Sequence, residues 1–357
     1  MSSPIDCVEA RQLSTSVSMK LVLIAKISLN CIAACLIATV VKTCRTKRLF
    51  VMHRNIKILL YFHFYYVIHV VFFMTSGLII DLARLSMNHE DDCDYLIPIW
   101  LTFPIKCSFV FGVFAETITI AYISIERFVA TYYREYERVQ CKLLMPLFIV
   151  AKIVFVSFIS YILLGIHVDW SAHVVVFTFR TKENEPQYEV FVAYALMAVE
   201  VCAIVLYHFI LYVNHRDTRA LHLTKSRAIQ LTKSLSAKYQ MEENTKVIKL
   251  VLPIVWSHFI YVIIWGVCKT VYSKTNGNLA NQFFAIYAEA TTTNVYYAIT
   301  MSIIFLATQT RCRKSVSTAD IVRNTGTYQN AEEYHKQLHT IFMVRPERSS
   351  NSHRHRN

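Results

Sequence analysis

Seven apolar stretches, each bounded by charged or polar residues, divide the chain. They span residues 21–41, 58–80, 99–124, 144–166, 190–213, 247–268 and 283–306, and are numbered here as windows 1 to 7. The hydrocarbon core of a bilayer is roughly 30 Å thick and needs about 20 mostly apolar helical residues to cross it. Strands of a membrane barrel are shorter and alternate between apolar and polar positions, unlike these windows. The pattern therefore predicts an all-α membrane protein with a seven-transmembrane helix bundle, in which window 7 is the most polar.

Lysine and arginine are unevenly distributed between the loops. The loops after windows 1, 3 and 5, together with the segment after window 7, contain 27 of them, and the opposite side contains seven. Because cytoplasmic loops are enriched in Lys and Arg, we expect an extracellular N-terminus and a cytoplasmic C-terminus. The predicted parts are an extracellular segment (1–20), a transmembrane receptor domain (21–309) and a cytoplasmic tail (310–357). The first twenty residues lack a positive region followed by an apolar core, so we expect window 1 to direct insertion.

Composition limits the partners and the chemistry. The chain is 55% hydrophobic and carries a formal net charge of +13. Basic residues on the cytoplasmic side are expected beside the anionic lipids of the inner leaflet, so the charge does not predict nucleic-acid binding. The sequence contains no HExxH, GxSxG or phosphate-loop motif. We therefore predict no enzymatic activity, no cofactor and no metal site.

Three of the ten cysteines carry a specific prediction. Cys7 and Cys93 lie on the side that is predicted to be oxidising, where Cys268 is a further candidate, and the loop 167–189 has no cysteine. We therefore expect a Cys7–Cys93 disulfide that ties the N-terminal segment to the start of window 3. Cys312, just after window 7, is a candidate for palmitoylation, although an unmodified thiol fits as well.

Ionisable side chains occur inside the windows, where a charge costs roughly 2.5–3.5 kcal/mol at mid-membrane on insertion scales. They are Lys26, Lys106, Glu116, Lys152, Glu200 and Glu289. Lys26 and Lys152 are within reach of an interface, so we expect them to pair across helices or to extend towards water. Lys106 and Glu289 lie in the outer half, where we expect them to face a polar ligand or each other. Glu116 is a deeper candidate for ligand binding.

Buried acids also fit a proton-coupled transporter, which is the main alternative. Transporters usually have internally related halves and paired helices that are broken by glycine or proline near the midplane. The sequence shows no such repeat, and its six glycines are scattered singly. Proton flux through Glu116 that is coupled to a substrate would favour the transporter. A seven-helix scaffold without signalling is a third possibility.

Window 3 ends in SIERF, which places Glu126 and Arg127 at the predicted cytoplasmic boundary. Such a pair is also typical of a membrane-surface anchor. If windows 3 and 6 pack together, however, Arg127 can bridge to Glu242 or Glu243 and hold the cytoplasmic ends closed. Pro253, about two turns into window 6, would then provide a hinge. We expect Glu242→Ala or Glu243→Ala to raise ligand-independent signalling.

Four segments, taken in order, resemble a known family. They are RNIKILLYFHFYYVIHVVFF from Arg54, DDCDYLIPIW from Asp91, SIERFVATYYREYE from Ser124 and LSAKYQMEEN from Leu235. They resemble the nematode serpentine chemoreceptors of the Sra superfamily. The alpha-beta class (Srab) is the most similar, and the alpha, beta and epsilon classes are near it. The resemblance covers roughly residues 5–315.

The resemblance implies a G-protein-coupled chemoreceptor in the plasma membrane of sensory neurons, with a small environmental molecule as ligand and a heterotrimeric G protein as partner. Glu126 and Arg127 match the acid–arginine pair that faces the G protein in such receptors. Tyr136 and Glu137 match the tyrosine–acid step that follows it. Thr102 stands where rhodopsin-like receptors have a bridging cysteine, and window 7 lacks their Asn-Pro-x-x-Tyr segment. Details of the rhodopsin-like switch therefore do not carry over.

Overall fold

The computed structural model describes residues 4–46, 54–133, 144–165, 170–171, 173–176, 185–223, 231–275, 286–287 and 289–325. Its long helices are α1 (Pro4–Thr15), α2 (Val17–Thr46), α3 (Arg54–Ser86), α4 (Ile99–Tyr132), α5 (Leu144–Gly165), α6 (Glu185–Leu223), α7 (Leu231–Thr275) and α8 (Asn294–Thr325). The connections contain a 3-10 helix (Asp92–Tyr95) and two short strands, β1 (Ile97–Pro98) and β2 (His173–Val174), which pair antiparallel. Helices suit these long apolar sequences, because backbone groups inside a bilayer must hydrogen-bond within their own segment.

Helices α2 to α7 are long and apolar enough to cross a membrane, and each contains one of windows 1 to 6. Their apolar parts are Val17–Arg45, Asn55–Ser86, Ile99–Tyr132, Pro146–Gly165, Val190–Arg216 and Asn244–Cys268. Window 1 was predicted to begin at residue 21, whereas α2 begins at Val17. The helix extends beyond the apolar window because Ser18 and Lys20 lower the hydropathy of a turn that is nevertheless helical.

Window 7 was predicted to begin at residue 283, and residues 286–287 and 289–290 are helical, but a break then separates them from α8, which begins at Asn294. Residues 291–293, all threonines, form a turn and an irregular segment before it. Threonine is a weak helix former, because its branched side chain is restricted and its hydroxyl competes for backbone groups. The Thr291 hydroxyl and its backbone N–H both donate to the carbonyl oxygen of Tyr287, each at 2.9 Å, and the regular helical pattern stops after this residue. Hydropathy alone does not register this break.

Helix α4 occupies the centre of the bundle. It packs against α3, α5, α6 and α7, and α6 packs in turn against α7. The largest apolar core joins residues of α2, α3, α4, α6, α7 and α8. The buried positions of α4 include Glu116, Glu126 and Arg127. This helix therefore brings the predicted polar residues into the interior. The bundle belongs to a compact unit of residues 1–306, and residues 307–357 form a second unit.

Helix α1 is attached to the connection between α3 and α4. Cys7 forms a disulfide with Cys93, with an S–S distance of 2.06 Å, and this is the pair that the sequence predicted. The Arg11 guanidinium forms an ion pair with Asp92, with an Nη1–Oδ1 distance of 2.6 Å. Leu13 is fully buried in an apolar cluster with residues of α3 and of the segment after β2. The N-terminal segment is therefore a helical cap on this end of the bundle.

Cys7→Ser is expected to destabilise the folded protein by about 2–5 kcal/mol, because the disulfide restricts the unfolded chain. The bridged residues are 86 positions apart. Thermal unfolding of the purified protein in nanodiscs measures the effect, with Cys31→Ser, an exposed thiol on α2, as the control. A Cys7→Ser protein as stable as the control would contradict the prediction, as would mass mapping that finds Cys7 and Cys93 both free.

Helices α3 and α4 approach each other closely at Gly112. A Cβ atom at this position would lie 2.5 Å from Cγ2 of Val70 and 3.1 Å from Cδ2 of His69. Both distances are shorter than ordinary contacts between carbon atoms. Small residues permit such close packing between membrane helices, so the absence of a side chain at Gly112 sets this interface.

Gly112→Ala is expected to destabilise the bundle by about 1–3 kcal/mol, the usual cost of overpacking. Gly266→Ala is the matched control. Its Cβ would meet the flexible end of Met197, 3.2 Å from Cε, and we expect a smaller loss. Melting temperatures of the two variants in the same detergent provide the comparison. Equal melting temperatures would show that the α3–α4 approach does not limit stability.

Candidate functional site

Arg127 lies near the C-terminal end of α4, and its side chain is fully buried. Its Nε and Nη2 donate to the two carboxylate oxygens of Glu126, at 2.6 and 2.7 Å. Its Nη1 donates to Oδ1 of Asn244 on α7. A buried guanidinium is tolerated only when its charge and its donors are satisfied. Glu126 neutralises the charge, and the three bonds use three of the five N–H donors, one of which joins α4 to α7.

Asn244 is 2% exposed and faces α4. Its Nδ2 also donates to Oγ1 of Thr131, one turn beyond Arg127, at 3.4 Å. The buried face of α7 continues with Val247 and Ile248. These positions lie three and four residues on, as expected for one side of a helix. Asn244 is therefore the polar end of an apolar face that packs inside the bundle. Below, "the α4–α7 contact" means Glu126, Arg127 and Asn244.

The sequence predicted Glu242 or Glu243 as the partner of Arg127 on α7. The described partner on that helix is Asn244. Positions 243 and 242 lie about 100° and 200° around the helix axis from position 244. The backbone of both glutamates belongs to α7, but their side chains lie outside the described part of the structure. Their roles stay predictions.

Other predicted residues also lie outside the described part. Tyr136 and Glu137 belong to residues 134–143, which the structure does not describe. Cys312 belongs to α8, but its side chain is not described. G-protein contact by the first two and palmitoylation of the third stay predictions.

A group of polar side chains lies between the helices near the middle of the bundle. We call it the central cluster, and its members are His63, Glu116, Glu200, His258 and Tyr297. Nδ1 of His258 lies 2.7 Å from Oε1 of Glu200. Nε2 of the same ring lies 3.7 Å from Oε2 of Glu116. The cluster therefore links α7 to both α6 and α4.

Tyr297 extends the central cluster to α8, and His63 extends it to α3. Nε2 of His63 lies 2.7 Å from the hydroxyl of Tyr297. The rings of His258 and Tyr297 meet edge to face, with centroids 4.5 Å apart. All five members of the cluster are buried, so its polar groups depend on one another for hydrogen bonds.

Two carboxylate oxygens of the central cluster have no hydrogen-bond partner among the described residues. They are Oε1 of Glu116 and Oε2 of Glu200. Glu116 was predicted from the sequence as a ligand-binding candidate. The structure buries it to 3% exposure, with one oxygen towards His258 and the other unpartnered. The cluster therefore retains accepting capacity that a rearrangement or a bound group can use.

Lys152 of α5 is 2% exposed. Its Nζ donates to the hydroxyl of Thr119 on α4 at 2.8 Å and lies 4.2 Å from the ring centroid of Tyr66 on α3. The sequence left two possibilities open for this lysine, pairing across helices or extension to an interface. The structure supports contact across helices, because a hydroxyl and an aromatic face stabilise the ammonium inside the bundle.

Lys26 of α2 and Glu289 form a buried ion pair. Nζ of Lys26 donates to Oε2 of Glu289 at 2.6 Å and to its backbone oxygen at 2.8 Å. The sequence placed Glu289 opposite a ligand or Lys106, and the structure places it against Lys26. Glu289 lies just before the break at residues 291–293, where its carbonyl oxygen accepts from the backbone N–H of Thr292 and from the ammonium of Lys26. Lys106 is partly buried on α4.

His258 and Asn244 were not selected from the sequence as candidate site residues, although both side chains connect α7 to other helices. Both are polar residues in or beside the apolar window 6. The available signal was their position, since each falls on the buried face of α7. A buried polar group needs a partner, so helical phase would have predicted that these residues contact other helices.

A family model described as "Serpentine type 7TM GPCR receptor class ab chemoreceptor" matches residues 4–342. The match extends over all eight helices and over every candidate site residue. A search of curated proteins gave no match.

Proposed function

We propose that this chain, which belongs to the serpentine seven-transmembrane chemoreceptors of class ab, is activated by a small molecule and couples to a heterotrimeric G protein. Family membership and the apolar helices give an integral membrane protein with a seven-helix fold. The family is one of receptors rather than enzymes, and it does not favour the proton-coupled transporter. The ligand, the signalling partner and their sites are our proposal.

The α4–α7 contact is the observation that carries the proposal. It joins two helices through a fully buried guanidinium and a side-chain amide. Packed interfaces of this kind have discrete arrangements rather than a continuous range. Breaking the bond to Asn244 would weaken the attachment of this end of α7 to α4 and so favour their separation. Arg127 would then become accessible to a G protein.

Pro253 favours such a movement. It lies inside α7, which is one helix from Leu231 to Thr275. Proline has no backbone N–H, so it cannot bond to the carbonyl of Lys249, and the helix bends more easily at this point. Asn244 and His258 lie on opposite sides of this residue, so α7 is held to other helices on both sides of a weak point.

We place the ligand in the half of the bundle that contains Lys106 and Glu289, with Glu116 at the deep end of the site. A ligand that binds more tightly when the α4–α7 contact is broken shifts the population towards that state. A polar ligand that displaces Lys26 would bind the carboxylate of Glu289, and one that displaces Glu289 would bind the ammonium of Lys26. The unpartnered oxygen of Glu116 offers a hydrogen-bond acceptor.

The predicted orientation places the N-terminus outside the cell and the α4–α7 contact at the cytoplasmic face. Tyr136, Glu137, Glu242 and Glu243 would then complete the surface that meets the G protein. Palmitoylation of Cys312 would hold the following segment at the membrane. The plasma membrane of a sensory neuron is the proposed location.

A ligand screen tests the function. Cells that express the chain are exposed to a library of small environmental molecules with a calcium readout. We expect at least one compound to give a saturable response, which Arg127→Ala abolishes at equal surface expression. Ile260→Ala, an exposed position on α7, is the control and should respond like wild type. A response that survives in Arg127→Ala would show that the α4–α7 contact is not the coupling site.

A further inference from the structure

Arg84 lies near the C-terminal end of α3, and its side chain is only 10% exposed. Its Nη2 donates to Oδ1 of Asp81, three residues earlier, at 3.1 Å, and to the backbone oxygen of Val175 at 2.6 Å. Nε and Nη1 are also buried, and neither has a hydrogen-bond partner among the described residues. Three of the five N–H donors of this guanidinium are therefore unused.

Arg127 shows how the same group is satisfied elsewhere in the bundle. Each of its three guanidinium nitrogens donates to a carboxylate or amide oxygen. Arg84 has acceptors on one nitrogen only, within the part of the chain that the structure describes. A buried donor without an acceptor is costly, and more so when it belongs to a charged group. An acceptor from outside the chain would therefore be stabilised at Arg84.

The guanidinium of Arg84 lies beside the α1 cap. Val175, whose carbonyl oxygen it binds, packs against two apolar clusters. Helix α1 contributes Leu13 to one of these clusters and Ala10 to the other. A ligand would reach the free donors when the cap or the segment after β2 opens locally, as expected of a site that buries most of a small molecule.

An apolar cluster connects Arg84 to the ligand region proposed above. It contains Leu85, which follows Arg84 in the chain, and Ile27 and Ile286 pack against it. These two isoleucines lie one and three positions from the partners of the buried ion pair between α2 and the segment before α8. A ligand with an acidic group at Arg84 could therefore extend an apolar body along this cluster.

We infer that Arg84 binds the carboxylate of a small acidic ligand, with the apolar body of the ligand along this cluster. The inference rests on the proposed receptor function and names the chemical class of its ligand. A guanidinium forms strong, charge-assisted hydrogen bonds to a carboxylate. Asp81 repels any second negative charge near Arg84, and it repels a carboxylate less than a phosphate, which carries about −1.5 to −2 charges at neutral pH.

Acetate, butyrate and hexanoate are the probes, each compared with its uncharged amide at constant ionic strength. The purified full chain is kept in a maltoside detergent, which supplies no acidic group. Thermal unfolding reports binding, because a ligand that binds only the folded state raises the melting temperature. We expect at least one acid to raise it in a saturable manner and the matching amide to leave it unchanged.

Two single variants should change the affinity for this acid in opposite directions. Arg84→Gln should weaken binding about a hundredfold, because a buried charged partner is lost. Asp81→Asn should strengthen binding about tenfold, because the competing negative charge is removed. A purely structural ion pair would give no such opposition. Arg11→Gln, which removes an exposed arginine of the α1 cap, is the matched control and should bind like wild type.

The double variant Arg84→Gln/Asp81→Asn keeps the test valid if Arg84→Gln does not fold. It removes both charges of the buried pair together, which is tolerated better than the loss of one partner. It should unfold cooperatively and show no response to the acids. Phosphatidylserine, added to the same detergent, tests whether a membrane lipid supplies the acidic group instead.

Acid binding that Arg84→Gln or the double variant loses and Asp81→Asn strengthens supports the inference. It is overturned if no acid raises the melting temperature of the wild type, if the double variant still responds, or if only the lipid acts through Arg84. The calcium assay tests the proposed function separately. If acids bind as expected but no compound gives a response that requires Arg127, only the proposed function fails. If a non-acidic compound gives such a response and no acid binds, only the inference fails.

Discussion

Replacing Lys26 with methionine is expected to destabilise the folded protein by about 3–5 kcal/mol, the usual cost of removing one partner from a buried ion pair. The Glu289 carboxylate is 0% exposed, so it cannot recover its interactions from water when the ammonium is removed. Lys26 also donates to the backbone oxygen of Glu289. The loss should therefore reach the irregular segment that leads into α8.

The double variant Lys26→Met/Glu289→Met provides the decisive comparison. It removes both charges together, and apolar replacement of a complete buried pair is often neutral. Most of the lost stability should therefore return. Lys20→Met, a partly exposed lysine earlier in α2, is the control for the substitution itself. Thermal unfolding in nanodiscs measures all three proteins. If the double variant is no more stable than Lys26→Met, the unpaired carboxylate is not the cause of the loss.

Asn244→Ala is expected to raise ligand-independent signalling by about tenfold. The substitution removes a hydrogen bond to a charged group, which is worth roughly 1.5–3 kcal/mol, and each 1.4 kcal/mol changes an equilibrium tenfold. Glu126 still neutralises Arg127, so the lower part of this range applies. Basal nucleotide exchange by a G protein, normalised to surface expression, measures the effect.

Asn244→Asp distinguishes a specific contact from general loosening of the bundle. A carboxylate at this position binds the guanidinium more strongly than an amide does. Basal exchange should therefore fall to the wild-type level or below it. A rise in Asn244→Asp equal to that in Asn244→Ala would mean that any substitution at this position activates the receptor, whether or not it bonds Arg127.

The expected loss of stability in Lys26→Met and the expected rise in basal signalling in Asn244→Ala arise from buried charges with different roles. The Lys26–Glu289 pair joins α2 to the segment before α8 through two buried opposite charges, so the removal of one partner is expected to reduce stability. In the α4–α7 contact, the described partner of Arg127 on α7 is a neutral amide, and a hydrogen bond to an amide costs less to release than an ion pair. A contact that must open during signalling has to be weak enough for a small ligand to shift.

The fold was largely predictable because hydropathy and charge report directly on membrane crossing. Six windows fall on α2 to α7. The start of α8 was not predictable in this way, because the break at residues 291–293 is a local change of backbone conformation that hydropathy averaged over a window does not report. The helical form of the N-terminal cap was missed for a similar reason, since its packing depends on the disulfide and on a buried leucine.

The sequence identified unusual residues in the candidate sites, but it did not predict which residues contact one another. Arg127 could be recognised from its position at the end of window 3, but its partner on α7 depends on the rotation of that helix. Two adjacent glutamates were more conspicuous than Asn244, although the amide is on the buried face. Glu289 was recognised as unusual, but its pairing with Lys26 depends on how α2 packs against the segment before α8. Such pairings follow from three-dimensional packing and not from spacing along the chain.

Ligand-driven nucleotide exchange with purified components tests the central claim most directly. The chain in nanodiscs is combined with a heterotrimeric G protein and with the compound that gives the strongest cellular response. We expect the compound to accelerate exchange in the wild type, to leave Arg127→Ala unresponsive, and to add little to the high basal rate of Asn244→Ala. A compound that binds the purified chain without accelerating exchange on any G protein would contradict the account.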